Sequence, residues 1–128
     1  MSNNTTMIDQ ALLPRNMSPV PDNINATLRV VQGPAAGTVV ELTKSITGVG
    51  RGDENDLVLP DTRVSNFHMA LYHCAGEFRI RDLGSTNGTF LNGSAVTEYA
   101  LRHGDWIQVG GCVLRFEIER AAAPNIKR

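Results

Sequence analysis

The chain has no stretch approaching the ~18 consecutive apolar residues that a membrane-spanning helix needs, although 41% of its 128 residues are hydrophobic. Met1 to Val20 lacks a basic start followed by an apolar core, so nothing there reads as a secretory leader, and a cytoplasmic protein without a membrane partner is expected. Excess charge is missing as well: the net charge is −1 and the sequence pI is near 6.3. That balance gives no general attraction to nucleic acid or acidic lipid, so any anion has to be bound by a local pocket. Cysteine is scarce. Cys74 and Cys112 have no His or Cys neighbour at zinc spacing, which points to buried free thiols rather than a metal site or a disulfide. Helical periodicity is the last absence: from Thr27 to Ile118 no apolar pattern of period 3.6 persists over three turns.

Short runs of β type are present instead. Leu28–Gln32 and Thr38–Leu42, joined through Gly33-Pro34-Ala35-Ala36-Gly37, read as a hairpin. Ile46–Val49 and Leu57–Leu59 flank a polar, glycine-rich loop. Met69–Cys74 and Glu77–Asp82 alternate across an Ala75-Gly76 turn, with Phe78 and Ile80 inward and charges outward, so one face of an antiparallel sheet is expected to be wet. Ser94–Leu101 follows, then Trp106–Val109 and Cys112–Ile118 around Gly110-Gly111. The expectation is an all-β sandwich over residues 27–118, with a flexible arm at 1–26 that contributes no core and a short tail at 119–128.

The densest run of turn signals is Asp82-Leu83-Gly84-Ser85-Thr86-Asn87-Gly88-Thr89-Phe90-Leu91-Asn92-Gly93. Catalysis finds little support around it. Ser65 and His68 invite a nucleophile-and-base reading, but on an extended segment they point to opposite faces, and there is no Gly-x-Ser-x-Gly elbow. Gly48-Val49-Gly50-Arg51-Gly52 imitates a dinucleotide fingerprint without the helix or βαβ unit that would make it one. No enzyme and no cofactor are expected. What remains is a set of interstrand loops carrying Arg among small hydroxyls and amides: Arg51, then Thr62-Arg63-Val64-Ser65-Asn66, then Ser85-Thr86-Asn87. Such a set suits a phosphate group, because a guanidinium presents a planar fork of donors and neutral donors fix orientation at little desolvation cost.

Gly50-Arg51 with Asn55-Asp56-Leu57-Val58-Leu59, then Val64-Ser65-Asn66-Phe67-His68, then the Asp82–Gly93 run resemble, in order and spacing, the forkhead-associated (FHA) domain, a phosphothreonine-peptide binding module. Gly104–Gly110 fits the closing strands, so the resemblance covers about Thr27 to Ile118. It implies an eleven-stranded antiparallel β-sandwich with the peptide lying across loops at one end. By position it implies phosphate binding by Arg51, Ser65, Asn66 and Thr86, and a grip on the peptide main chain by Asn87. Many members have Arg where this chain has Asn66, which leaves Arg51 as the main cation. Arg63 stands where some members read an acidic residue three places after the phosphothreonine; the alternative is a solvated loop Arg. His68 is expected to support the Ser65 loop, and Gly50 and Gly88 to serve backbone geometry.

The resemblance further implies a regulator or adaptor downstream of a Ser/Thr protein kinase, with a phosphothreonine protein as partner. The other reading is a phosphate-independent scaffold or docking subunit of a larger assembly such as a secretion system. In the arm, Thr5 and Thr6 are candidate phosphoacceptors, and Thr6 has Asp9 at the third following place. With a linker of more than twenty residues from Thr6 to the pocket, a phosphorylated arm could fold back into its own pocket, as in some small FHA proteins.

Overall fold

The computed structural model describes residues 16–121; Thr5, Thr6, the apolar pairs around Pro14 and the last seven residues of the tail lie outside the described residues. Among the described residues are eleven strands and no helix: β1 Ile24–Gln32, β2 Val39–Glu41, β3 Ile46–Gly50, β4 Leu57–Val58, β5 Met69–Cys74, β6 Glu77–Asp82, β7 Thr89–Leu91, β8 Ser94–Val96, β9 Glu98–Ala100, β10 Trp106–Val109 and β11 Cys112–Arg120. They form two sheets, one in the order β2-β1-β11-β10-β7-β8 and the other β4-β3-β5-β6-β9. Every pairing is antiparallel except β3 with β4, where Val49 faces Leu57 and Gly50 faces Val58 in parallel. A loop long enough to carry Arg51–Asp56 makes that parallel return possible, and it is one wall of the site below.

The period-2 pattern explains why these sheets close on each other. Leu28 and Val30 of β1, Leu114 and Phe116 of β11, Ile107 and Val109 of β10, Met69 and Leu71 of β5 and Ile80 of β6 all lie in one core at 1% exposure or less. Phe78 and Phe116 meet across it with ring centroids 5.5 Å apart. The segment read as one run, Ser94–Leu101, is two strands: β8 pairs with β7 in the first sheet and β9 with β6 in the second. The chain changes sheets at Thr97, whose carbonyl accepts the Asp82 N–H.

Two expectations are corrected. The outer face of β6 is partly wet, but all six residues of β5 are buried. Tyr72 is sealed there by a hydroxyl bond to Glu98, and Glu98 also takes Arg79 at 2.9 Å and Arg81 at 2.6 Å. Three long side chains, Arg79, Arg81 and Glu98, thus roof a strand that alternation alone makes half exposed. The arm also ends earlier than residue 26. β1 begins at Ile24, Ala26 is core, Val20 packs against it, and Met17 bridges to Cys74 while the Ser18 N–H donates to the His73 carbonyl. Prolines at 19 and 21 mark irregular chain, yet irregular chain can still be docked; pairing across 50 residues left no local signal.

Arg51, Ser65, Ser85–Gly88 and Gly110-Gly111 all occupy the end of the sandwich where β3 and β10 finish and β5 and β7 begin. Met17, Ala75-Gly76 and Asn92-Gly93 occupy the opposite end. Truncating the core between them, Phe116→Ala, is expected to lower stability by about 3–5 kcal/mol, the range for emptying a buried aromatic site, measured as a shift in the urea midpoint at unchanged slope.

Candidate functional site

Three loops meet at this end, and main-chain donors join them. The Arg51 N–H donates to the Ser65 carbonyl at 2.9 Å and the Gly52 N–H to the Asn66 carbonyl at 3.1 Å. A Cβ at Gly50 would overlap the Asn66 carbonyl oxygen, so this close approach requires glycine. Asn55 braces the same crossing, its amide donating to the carbonyls of Gly52 and Asn66 at 2.8 and 2.7 Å. Asp56 accepts the Gly48 N–H and pairs with Lys44. The Arg51 stem is fixed in turn, since its Nε–H donates to the Val64 carbonyl at 2.9 Å.

The third loop is joined to the second through side chains. The Thr86 N–H donates to Ser65 Oγ at 3.1 Å, which orients that oxygen and leaves the hydroxyl proton to another acceptor. The Asn87 amide donates to the Arg63 carbonyl at 2.9 Å. His68, fully buried, accepts the Ser65 N–H at Nδ1 (3.0 Å) and donates from Nε2 to the Gly88 carbonyl (2.8 Å). An N–H on one side and a carbonyl on the other fix the neutral tautomer with its proton on Nε2. Gly88 presents that carbonyl from a backbone at φ +91°, in the left-handed region.

Asp82 organises the third loop, a role the sequence reading gave to no single residue. Its Oδ2 accepts the N–H groups of Gly84 and Ser85, both at 3.0 Å, and its Oδ1 accepts the hydroxyls of Ser85 (2.6 Å) and Thr89 (2.7 Å). Ser85 Oγ passes the order on by accepting the Gly88 N–H. Burial pushes the Asp82 carboxyl up, but the Ser85 and Thr89 hydroxyls and the two amides outweigh it and hold the group below its ordinary value. An Asp followed at the second and third places by Gly and Ser is an Asx-turn signal that could have been read from the sequence. Asp61 was missed too. Buried at the start of the second loop, it accepts the Arg63 main-chain N–H, the Arg63 guanidinium and the Gly111 N–H.

The structure therefore brings Arg51, Ser65, Thr86 and Asn87 into one hydrogen-bonded cluster and leaves Arg51, Asn66, Thr86 and Asn87 exposed. Arg63 lies alongside, engaged with Asp61. Two solved structures with this architecture are matched by this chain over nearly their whole length. One, from a study of phosphothreonine-dependent FHA domain interactions, is 31% identical at TM-score 0.67, covering 73% of this chain and 95% of that one. Another, the FHA domain of FhaA in complex with the intracellular domain of a second protein, is 32% identical at TM-score 0.66, covering 72% and 99%. The chain belongs to the forkhead-associated family. Residues 29–120 also match the family described as the cytoplasmic domain of an inner membrane component of the type III secretion system, an FHA-type domain.

Among curated proteins this FHA chain is 38% identical over 86 residues to the glycogen accumulation regulator GarA of Mycolicibacterium smegmatis, covering 67% of this chain and 54% of that protein. It is 40% identical over 86 residues to the oxoglutarate dehydrogenase inhibitor of Corynebacterium efficiens, covering 67% and 61%. The chain thus spans between half and two thirds of the length of the curated relatives it matches.

Asp82→Ala strands four donors at once and is expected to cost about 2–3 kcal/mol. Because folding lowers the Asp82 carboxyl, and those of Asp61 and Glu98 likewise, their contribution is complete above the ordinary values, 3.8 for the two Asp and 4.5 for Glu98, and is lost as pH falls from there through the folded values. Denaturation midpoints measured from pH 6 down to pH 3 check this: the wild type should decline, and Asp82→Asn should decline less.

Proposed function

We propose that the loop end captures a phosphothreonine peptide, and that the protein acts as a non-catalytic regulator or adaptor downstream of a Ser/Thr kinase. One observation carries the reading. Arg29, Lys44, Arg63, Arg79, Arg81 and Arg115 each have a carboxylate partner, whereas Arg51, Arg102 and Arg120 have none among the described residues, and of these three only Arg51 stands at the meeting point of the three loops. A guanidinium held by its stem at Nε, with its terminal donors uncommitted to any carboxylate, is prepared for an anion from outside. The Ser65 hydroxyl proton, the Thr86 hydroxyl and the Asn66 amide supply neutral donors around it. Asn87 retains its carbonyl and one amide proton, the pair needed to hold a peptide unit. Relatives named as a phosphothreonine-dependent FHA domain, a regulator and an inhibitor accord with this role.

Arg51→Ala is expected to weaken a phosphothreonine peptide by about 2–4 kcal/mol, the scale of a charged hydrogen bond lost from a desolvated site. Calorimetry against that peptide and its unphosphorylated twin checks it; unchanged affinity of the variant would overturn the assignment. Equal binding of the two peptides by the wild type would instead favour phosphate-independent docking, a reading that the match to a secretion-system domain keeps in play.

Self-capture of a phosphorylated Thr6 is a narrower proposal than the bare sequence allows. Met17 and Ser18 are tied to β5 at the end opposite the pocket, so the chain between Thr6 and this attachment is the ten residues up to Asn16, not the full run to Thr27. Fully extended it spans about 33–36 Å, against a strand β5 of about 20 Å plus the loops at each end. Reach is sufficient only for a nearly straight path. Phosphorylating Thr6 in the full chain is expected to reduce external peptide binding at least about tenfold through the high local concentration of the tethered ligand, and Thr6→Ala to abolish the effect. Undiminished binding would rule self-capture out.

A further inference from the structure

We propose that Asp61 sets the charge selectivity of the peptide groove by holding the Arg63 guanidinium in a two-point pair, so that Arg63 is withheld from acidic side chains of a bound peptide. The inference rests on the phosphopeptide reading above. Arg63 Nε donates to Asp61 Oδ1 at 3.1 Å and its terminal nitrogen to Oδ2 at 3.0 Å. The carboxylate is not a passing partner. Its Oδ1 also accepts the Arg63 main-chain N–H at 2.8 Å and its Oδ2 the Gly111 N–H at 2.9 Å, and its side chain is 5% exposed where that of Arg63 is 66% exposed.

The pair abuts the turn between β10 and β11 at Gly111. A Cβ at Gly111 would overlap both the terminal nitrogen of Arg63 and Oδ2 of Asp61, so the turn makes room for it only as glycine. The other side is fixed by Asn87, which donates to the Arg63 carbonyl. Arg63 is thus anchored at its main chain, its carbonyl and its guanidinium, within the ring of loops that surrounds Arg51. The Arg63 guanidinium and main-chain N–H also hold the Asp61 carboxyl below its ordinary value, so it is an anion at neutral pH.

Two costs follow for a peptide carboxylate that seeks Arg63. If it displaces Asp61, a buried anion loses its countercharge, which costs more than an exposed ion pair returns. If it approaches the outer edge of the guanidinium instead, it meets a pair with no net charge. Position along the chain makes Arg63 look like a reader of acidic residues, and the neighbour two places before it removes that capacity.

The experiment uses the full chain and phosphothreonine peptides that differ only in Asp, Ala or Lys at the third residue after the phosphothreonine, with the unphosphorylated twin of each, by fluorescence anisotropy at low and at moderate salt. Wild type is expected to bind the Asp and Ala peptides within about twofold, whereas Asp61→Asn gains about fivefold for Asp over Ala. That gain should shrink with salt and vanish in Asp61→Asn/Arg63→Gln. A wild type that already prefers Asp about fivefold, or an Asp61→Asn that binds the Ala peptide normally without any gain for Asp, overturns the proposal. Should Asp61→Asn lose all binding, Arg63→Gln alone decides: an unchanged Asp-to-Ala ratio upholds the proposal and a fallen ratio overturns it. Equal binding of phosphorylated and unphosphorylated twins would bring down the phosphopeptide reading itself, and this inference with it.

Discussion

His68 is the residue on which the arrangement of the loops depends. Its ring joins the Ser65 amide to the Gly88 carbonyl, its main-chain N–H donates to the Val49 carbonyl, and its own carbonyl accepts the Leu83 N–H. One buried side chain and one peptide unit thus reach β3, the second loop and both ends of the third. A neutral imidazole offers one donor and one acceptor on opposite edges, and no other side chain of that size supplies both at fixed separation. Since each buried partner would otherwise be an unpaired polar group, the ring specifies spacing as well as adding stability. The catalytic reading of Ser65 with His68 fails for the same reason: both ring nitrogens are already committed to the backbone.

From this strut outward, the site is built of hydrogen bonds among loops rather than of an apolar cavity. Asn55 holds the first loop and Asp61 the second, each by bonding within its own segment and then across to a neighbour, and Asp82 holds the third from within. Electrostatics completes the design. Most basic side chains among the described residues are paired with a nearby carboxylate, and of the three that are not, Arg51, Arg102 and Arg120, Arg51 is the one that places its positive charge at the loop end. A chain with a net charge of −1 can in this way present a cationic spot without a basic surface.

Much of the fold was legible because it is written in local signals. The hairpins at Gly33–Gly37, Ala75-Gly76 and Gly110-Gly111 lie where turn residues separate alternating runs, and the ordered motifs led to the correct family. The features not legible are those that depend on residues far apart. That β5 is roofed depends on Arg79, Arg81 and Glu98 converging from two other strands. The split of Ser94–Leu101 between sheets depends on which neighbours β8 and β9 find, and alternation over three residues cannot state that. For the site, resemblance supplied positions, but the Asp61 pairing is a property of this chain's own second loop and Gly111 turn.

The borders of the two sheets are β2, β8, β4 and β9, and these are also among the shortest strands, of two or three residues each. Long strands, β1 and β11, are interior neighbours of each other. Unpaired edge amides and carbonyls invite a foreign strand to add itself to a sheet, and a border this short offers such a strand only one or two bonds. The sandwich is thereby protected from edge-to-edge aggregation. It is equally a poor template for binding a peptide by extending a sheet, so a partner in extended conformation has to be recognised by side chains at the tips of loops, one functional group at a time, and discrimination between a modified and an unmodified threonine is the kind of selectivity such a surface can achieve.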